Sequence, residues 1–269
     1  VTVTRRQAQE LLDRHGVRPS RALGQNFVVD PNTLRRVVRL AGVQPGDHVV
    51  EVGAGMGSLT LALVEAGAQV TAVELDRHLG PVLTEVLAGA DPAPRVVNAD
   101  ALELDWAALL AGVDRWQLVA NLPYNVATPL VLDLLDHVPA IDRMLVMVQR
   151  EVGERLAASP GSKAYGIPSV KVAYWATAEV VGRVGPTVFW PKPKVESALV
   201  RIERRAEPAT AADPDALFAL VRAGFGQRRK MLRGSLAGLV DAAAFERAGV
   251  SAEARAEQLS VEDWGRLAQ

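Results

Sequence analysis

Between Asp47 and Val148 the hydrophobic pattern switches repeatedly between two periods, and this alternation constrains the fold more than any other feature of the chain. His48-Val49-Val50-Glu51-Val52 is a β-branched run that stops at Gly53-Ala54-Gly55-Met56-Gly57. Ser58 to Glu65 has helical spacing, and Gln69 to Val73 is extended again and ends in Glu74. This is a βαβ unit. A helix over Arg77 to Leu87, a strand at Arg95 to Asn98, a short helix at Trp106 to Leu110 and a strand at Gln117 to Ala120 continue it. A helix over Thr128 to His137 and a strand at Arg143 to Val148 follow. The expected fold class is α/β: a Rossmann-like, mostly parallel sheet with helices on both faces, its ligand at the carboxyl ends of the strands.

Two helices precede the sheet. One spans residues 4 to 15 and stops at Gly16; the other opens on Asp30-Pro31, an N-cap followed by proline at the first helical position, and runs to Ala41. Past Val148 the spacing predicts helices at Glu151 to Ala158 and from Pro168, a strand near Glu179 to Arg183, and a last strand at Ala198 to Ile202. The linker Glu207-Pro208-Ala209-Thr210-Ala211-Ala212 marks a boundary. The expected domains are therefore residues 1–207, with a helical extension over 1–45, and a small all-helical domain over 208–269. Helical periods in the latter cover 214–226, 229–239, 242–248, 252–257 and 261–268, and Ser260 with Asp263 forms a capping box.

The glycine turn lets backbone approach a ligand closely. Its third glycine falls two places after the second, with Ser58 where a dinucleotide fingerprint requires glycine, which argues against a nicotinamide dehydrogenase. Glu74 ends the second strand, where it can accept from ribose hydroxyls, and Asp100 ends the third, where it can accept from an adenine amino group. A helix-capping carboxylate is the plainer role for either acid; two of them ending successive strands after such a turn favour an adenosine-bearing cofactor. Asn121-Leu122-Pro123-Tyr124 then ends the fourth strand. The Asn121 side-chain oxygen and the Leu122 carbonyl can each accept one proton of an exocyclic amine, Pro123 supplies no competing N–H, and Tyr124 supplies a stacking face. By itself the tetrapeptide is an Asx turn opening a helix. Behind the glycine turn it points to methylation of a nucleobase nitrogen.

Composition narrows the classes further. The chain has no Cys, which removes disulfides, thiolate catalysis and cysteine-ligated zinc; no metal site is expected. Its four histidines, His15, His48, His78 and His137, lie outside these motifs. No apolar run is long enough to span a bilayer, and Thr4-Arg5-Arg6-Gln7 leads into no signal-like segment, so a cytoplasmic protein is expected. The net charge of −1 conceals an asymmetry. Residues 1–39 hold eight Arg or Lys against three acids, residues 40–140 three against thirteen, and residues 141–269 nineteen against fifteen. Basic ends flanking an acidic core can still steer a polyanion, although any single arginine more simply solvates a helix face.

The stretches Leu23-Gly24-Gln25-Asn26-Phe27, Glu51 to Gly57, Asn121 to Asn125, Phe189 to Ser197 and Gly226-Gln227-Arg228-Arg229-Lys230-Met231-Leu232-Arg233 together resemble the small-subunit ribosomal RNA adenine N6,N6-dimethyltransferases. The resemblance covers nearly the whole chain. It implies S-adenosylmethionine as donor and two adjacent adenines of the 3′-terminal hairpin of small-subunit rRNA as acceptors, within an immature subunit, by a protein for which nothing demands more than a monomer. It further implies that Asn26, Val28, Gly53, Gly55, Glu74, Asp100 and Asn121 contact the cofactor. Val28 stands where the family more often has Leu, which leaves a backbone contact available. Asn121, Leu122, Pro123 and Tyr124 would form the catalytic tetrapeptide, with Phe189 stacking on the target base opposite Tyr124. Lys192, Lys194, Arg222, Arg228, Arg229, Lys230 and Arg233 then become candidates for gripping RNA phosphates. Two rivals remain: the large-subunit rRNA dimethyltransferases of macrolide resistance, and an RNA-binding assembly or transcription factor that keeps the fold without the chemistry. An eroded loop or tetrapeptide would mark the latter, and both are intact here.

Overall fold

The computed structural model describes residues 3–20 and 22–269. They form two compact units: the described residues up to Gly153 with Glu179–Glu203, and Glu154–Ala178 with Arg204–Gln269.

The first unit is built on strands β2 (His48–Val52), β3 (Gln69–Glu74), β4 (Arg95–Asn98), β5 (Trp116–Asn121) and β6 (Ile141–Gln149), with residues 179–184 of β7 (Ala176–Val184) and 197–203 of β9 (Ser197–Arg204). Their order is β4-β3-β2-β5-β6-β9-β7. The pairs β4–β3, β3–β2, β2–β5 and β5–β6 are parallel, and β9 pairs antiparallel with β6. The chain therefore starts at the middle of the sheet with β2, winds outward to β4, and returns to add β5 on the other side. That reversal leaves a crevice at the carboxyl ends of β2 and β5, the expected place for a ligand. Val49, Val50, Leu118 and Val119 have no measurable exposure, as strands covered on both faces require.

Helices α1 (Arg5–Arg14), α2 (Pro31–Ala41), α3 (Ser58–Glu65), α4 (Gly80–Val86), α5 (Trp106–Leu109) and α6 (Ala127–His137) fill the connections, and α7 (Arg150–Leu156) follows β6. The Asp30 carboxylate caps α2 by accepting from the Thr33 N–H at 2.8 Å, and Pro31 occupies the first helical position as expected. One element escaped sequence reading: a two-stranded antiparallel ribbon of β1 (Phe27–Val28) and β8 (Phe189–Trp190), in which Phe27 faces Trp190 and Val28 faces Phe189. Its two faces enter different cores. Val28 and Phe189 pack with Leu34, Val37 and Leu199, whereas Phe27 and Trp190 pack with Leu12, Met56 and Leu79.

The second unit contains α8 (Ile167–Trp175), α9 (Pro214–Gly226), α10 (Leu232–Ser235), α11 (Ala242–Ala248) and α12 (Val261–Leu267). The boundary expected at 207/208 needs correction. Tyr165, Val170 and Tyr174 join a core with Leu217, Val221, Phe245 and Trp264, so residues 154–178 belong to the helical unit. Hydrogen bonds reinforce the assignment: the Tyr165 hydroxyl donates to the Leu259 carbonyl at 2.9 Å and the Tyr174 hydroxyl to the Ala212 carbonyl at 3.0 Å. Two helical periods shorten. The one expected over 229–239 is helical only at Leu232–Ser235, and that over 252–257 is a 3-10 turn at Ala256–Gln258. The Ser260–Asp263 capping box forms with both bonds present. Among the described residues no helix is long and apolar enough to cross a membrane.

Candidate active site

Three segments converge at the crevice of the first unit. The Leu23–Phe27 segment, the Gly53–Gly55 turn with the ends of β3 and β4, and the tetrapeptide after β5 all line one cleft. Their contact is close. A methyl group added at Gly53 would lie 3.3 Å from Pro123 Cδ, and one at Gly24 would lie 3.3 Å from Pro123 Cβ. The turn, the N-terminal segment and the tetrapeptide therefore rest closely on each other, and a side chain at either glycine would press on Pro123. At Gly55, with φ of +59°, a Cβ would stand 2.9 Å from the Phe27 ring.

Asn121 is the pivot. Its side-chain nitrogen donates to the Asn26 carbonyl at 3.0 Å, which fixes the amide so that Oδ1 is left as an acceptor at the cleft. No donor among the described residues reaches that oxygen, nor the neighbouring Leu122 carbonyl, although the Leu122 N–H is held by the Met147 carbonyl at 3.0 Å. Two acceptors one residue apart, both unpartnered beside a cleft, match the two protons of an exocyclic amine. Tyr124 also lines the cleft; its hydroxyl meets Ser197 Oγ at 3.2 Å, and burial raises its phenolic pKa, so the ring presents itself neutral.

The carboxyl ends of β3 and β4 form the opposite wall. Glu74 is 8% exposed, and burial raises its carboxyl pKa while the N–H groups of Asp76 and Gly55 oppose that rise. The two N–H groups donate to its two oxygens at 2.8 and 2.7 Å. Each carboxylate oxygen retains a second lone pair for a ligand hydroxyl. Asp100 caps the turn after β4, accepting from the Leu102 N–H at 2.9 Å. Sequence reading missed the residues beside these acids: Leu75 and Leu102 are 50% and 43% exposed and line the same cleft. Their signal was a leucine one residue after Glu74 and two after Asp100. Two exposed leucines with an acid beside each form a slot whose chemistry suits a flat adenine and its ribose, so the residues present fit an adenosine-bearing cofactor.

Other expected site residues lie elsewhere. Val28 is buried against Phe189 and lines a smaller cavity beneath the glycine turn rather than the cleft. Phe189 corrects the expectation of a stacking platform: its ring is 3% exposed, because the β1–β8 pairing turns it into the core with Leu34 and Leu199. That smaller cavity also touches Glu51, which is 1% exposed and accepts from the Thr60 hydroxyl at 2.6 Å; burial pushes its carboxyl up to about 8.

The basic candidates divide between the units. Lys192 and Lys194 are exposed in the first. In the second, Arg222 lies on α9, and Arg228, Arg229, Lys230 and Arg233 lie on the turn into α10 and its first residues; all five are exposed. Arg228 is already engaged, donating to Glu257 at 2.7 Å and to the Lys163 carbonyl at 3.1 Å. Arg233 stands 3.5 Å from Glu253. Arg222, Arg229 and Lys230 have no side-chain partner among the described residues.

A chain with this geometry has close relatives. Residues 17–269 match the family described as ribosomal RNA adenine dimethylase. The ribosomal RNA small subunit methyltransferase A of Streptomyces coelicolor is 51% identical over 97% of this chain and 94% of its own length. Among solved structures, the 23S rRNA methyltransferase ErmE superposes with a TM-score of 0.70 at 29% identity, covering 90% of this chain and 98% of that one. A dimethyladenosine transferase from Plasmodium falciparum shares the fold with a TM-score of 0.75 at 22% identity, over 88% and 94% of the two chains. The cleft that fits an adenosine and the paired acceptors at Asn121 and Leu122 thus occur on a chain matched along nearly its whole length: it belongs to the ribosomal RNA adenine dimethylase family.

Proposed function

We propose that this methyltransferase dimethylates N6 of two adjacent adenines in the 3′-terminal hairpin of small-subunit rRNA, acting as a monomer on the immature subunit in the cytoplasm. The observation that carries the reading is the amide of Asn121, held by the Asn26 carbonyl at 3.0 Å with Oδ1 free beside the free Leu122 carbonyl. S-adenosylmethionine supplies an electrophilic methyl group. Glu74 holds the ribose hydroxyls, Asp100 the adenine amine, and Leu75 with Leu102 the faces of the cofactor's ring. Asn26, Gly53 and Gly55 provide backbone and amide contacts around its remainder.

The target amine conjugates into its ring and is a poor nucleophile. By accepting both N–H bonds, Asn121 Oδ1 and the Leu122 carbonyl favour the pyramidal form whose lone pair can attack, an interaction stronger in the transition state than in the ground state. Tyr124 stacks on the base. The attacked nitrogen becomes acidic as it is methylated, so no strong base is required; the described residues that line the cleft include no histidine. The helical unit grips the RNA through Arg222, Arg229 and Lys230, while one adenine is extruded at a cost of roughly 2–4 kcal/mol. Lys192 and Lys194 supply further phosphate contacts on the catalytic unit.

The test is transfer of labelled methyl from S-adenosylmethionine to unmethylated small-subunit particles and, separately, to large-subunit rRNA, with nucleoside analysis. N6,N6-dimethyladenosine in the small-subunit particles alone is the expected result. Label only in large-subunit RNA would instead place the chain with the resistance enzymes, and cofactor binding with no label in either would leave an assembly factor.

A further inference from the structure

The segment Leu23–Asn26 forms one side of the cleft, and its fastening involves a side chain with no part in the chemistry above. Gln25 uses both ends of its amide. Oε1 accepts from the Ser20 N–H at 2.7 Å, and Nε2 donates to Asp76 Oδ2 at 2.8 Å, joining the segment to the turn after β3. From there the bonds continue into the cofactor wall: the Asp76 N–H donates to Glu74 Oε1 at 2.8 Å, and Glu74 Oε2 accepts from the Gly55 N–H at 2.7 Å. At the other end of the segment, Asn26 Nδ2 donates to the Gly24 carbonyl and Asn121 Nδ2 to the Asn26 carbonyl, both at 3.0 Å.

We infer that Gln25 is a positioning residue for methyl transfer: it latches the Leu23–Asn26 segment to Asp76, and through that segment holds the Asn26 carbonyl that orients Asn121. The inference rests on reading the cleft as the cofactor and target-amine site. The latch then couples the Glu74 wall, where the ribose is held, to the acceptor that meets the amine. Loosening it frees the carbonyl against which Asn121 is set, and the cleft loses one wall at the same time.

The chemistry at position 25 is specific. Its partners are an N–H donor on one side and a carboxylate on the other, and an amide, accepting at one end and donating at the other, satisfies both. A carboxylate there would face Asp76 across 2.8 Å. Asp76 is equally constrained, because its second oxygen accepts from the His78 N–H at 3.0 Å. Reversing the polarity of the latch is nevertheless possible. In Gln25→Glu combined with Asp76→Asn, the new carboxylate accepts from Ser20 and from the new amide nitrogen, whose oxygen still accepts from His78.

The experiment compares wild type, Gln25→Ala, Gln25→Glu and the Gln25→Glu/Asp76→Asn pair. Three quantities are read: S-adenosylmethionine affinity by calorimetry without RNA, amide hydrogen exchange over residues 23–26 in the cofactor-free protein, and kcat at saturating cofactor. Both single variants are expected to weaken cofactor binding about 10-fold, the loss of a hydrogen bond to a charged group, to speed exchange in the segment, and to lower kcat. The paired variant is expected to recover affinity and protection to within about threefold of wild type, the signature of direct coupling. Wild-type affinity and exchange in Gln25→Ala, or a pair no better than Gln25→Glu alone, would overturn the inference. A wild-type protein that binds no S-adenosylmethionine would overturn the cleft reading and the latch with it, whereas variants matching a wild type that does bind would sink the latch alone.

Discussion

Two side chains illustrate how burial and hydrogen bonding set chemistry at single positions. Asn121 acts through the orientation of its amide, which the Asn26 carbonyl enforces. Asn121→Asp is isosteric but removes the donor and sets a carboxylate against that carbonyl, while Asn121→Ala removes the acceptor altogether. Both are expected to lower kcat by about 100- to 1000-fold, as loss of a transition-state hydrogen-bonding group does elsewhere, with a much smaller change in thermal midpoint. A loss in kcat below tenfold in single-turnover kinetics would mean that the amine is held by other groups. Glu51 shows the cost of an acid in a core. Burial pushes its carboxyl up to about 8 from an ordinary value of 4.5, so between those values the folded chain retains a proton that the unfolded chain has lost. Stability therefore falls as pH rises across that window and levels off above it. Glu74 is shifted in the same direction. Glu51→Gln removes the larger contribution, and its amide oxygen can still accept from Thr60. Denaturant titrations at pH 5 and pH 9 should show a wild-type loss on the order of a few kcal/mol that is mostly absent in the variant. Parallel losses in both proteins would place the ionising group elsewhere.

Among the elements, the glycine turn and the β1–β8 ribbon mark the limit of what residue patterns disclose. The turn was legible because glycine after a β-branched run has a local cause, and its close packing confirms that space is the reason. Gly55→Ala combines φ of +59° with a Cβ 2.9 Å from the Phe27 ring. The ring must move, and it belongs to the β1–β8 ribbon and to the core around Met56 and Leu79. The expected result is a stability loss of about 1–3 kcal/mol in chemical denaturation and a cofactor affinity weakened tenfold or more. An unchanged affinity would show that the turn tolerates a side chain. The parallel strands and their helices were equally legible, since 3.6- and 2-residue periods and the Asp30-Pro31 signal arise within a few residues. The ribbon was not. Two residues have no period, and Phe27–Val28 becomes a strand only by meeting Phe189–Trp190 far along the chain. The same distance hid the burial of Phe189, because an aromatic beside prolines and lysines reads as exposed until its partner strand is known. Leu75 and Leu102 went unread for a related reason: an apolar residue near a strand end has no period of its own, and only the assembled cleft shows that both are exposed.

Across the chain as a whole, a net charge of −1 coexists with a helical unit that concentrates cations on one turn. Sequence counts five cations from Arg222 to Arg233 and no acid. The fold sorts them. Arg228 donates to Glu257 and to the Lys163 carbonyl, and Arg233 lies near Glu253, so these two already have intramolecular partners that an RNA phosphate would have to displace. Arg222, Arg229 and Lys230 are free to neutralise phosphates without displacing such a partner. The distinction predicts unequal effects on the salt dependence of RNA binding. Each cation withdrawn from a phosphate lowers the slope of log K against log salt by roughly 0.7 to 0.9. Neutralising Arg229 and Lys230 together with glutamine should therefore flatten the slope by about 1.5 and leave S-adenosylmethionine affinity unchanged, since the described residues that line the cofactor cleft all belong to the first unit. Arg228→Gln should change the slope by less than about half a unit and instead show itself as a loss of stability, roughly 1 kcal/mol for its partly exposed hydrogen-bonded pair with Glu257. A flattening of roughly 0.7 to 0.9 in Arg228→Gln, about half that of the Arg229/Lys230 double variant, measured by filter binding from low to moderate salt, would show that RNA breaks the Arg228–Glu257 pair and that Arg228 faces the phosphates as well.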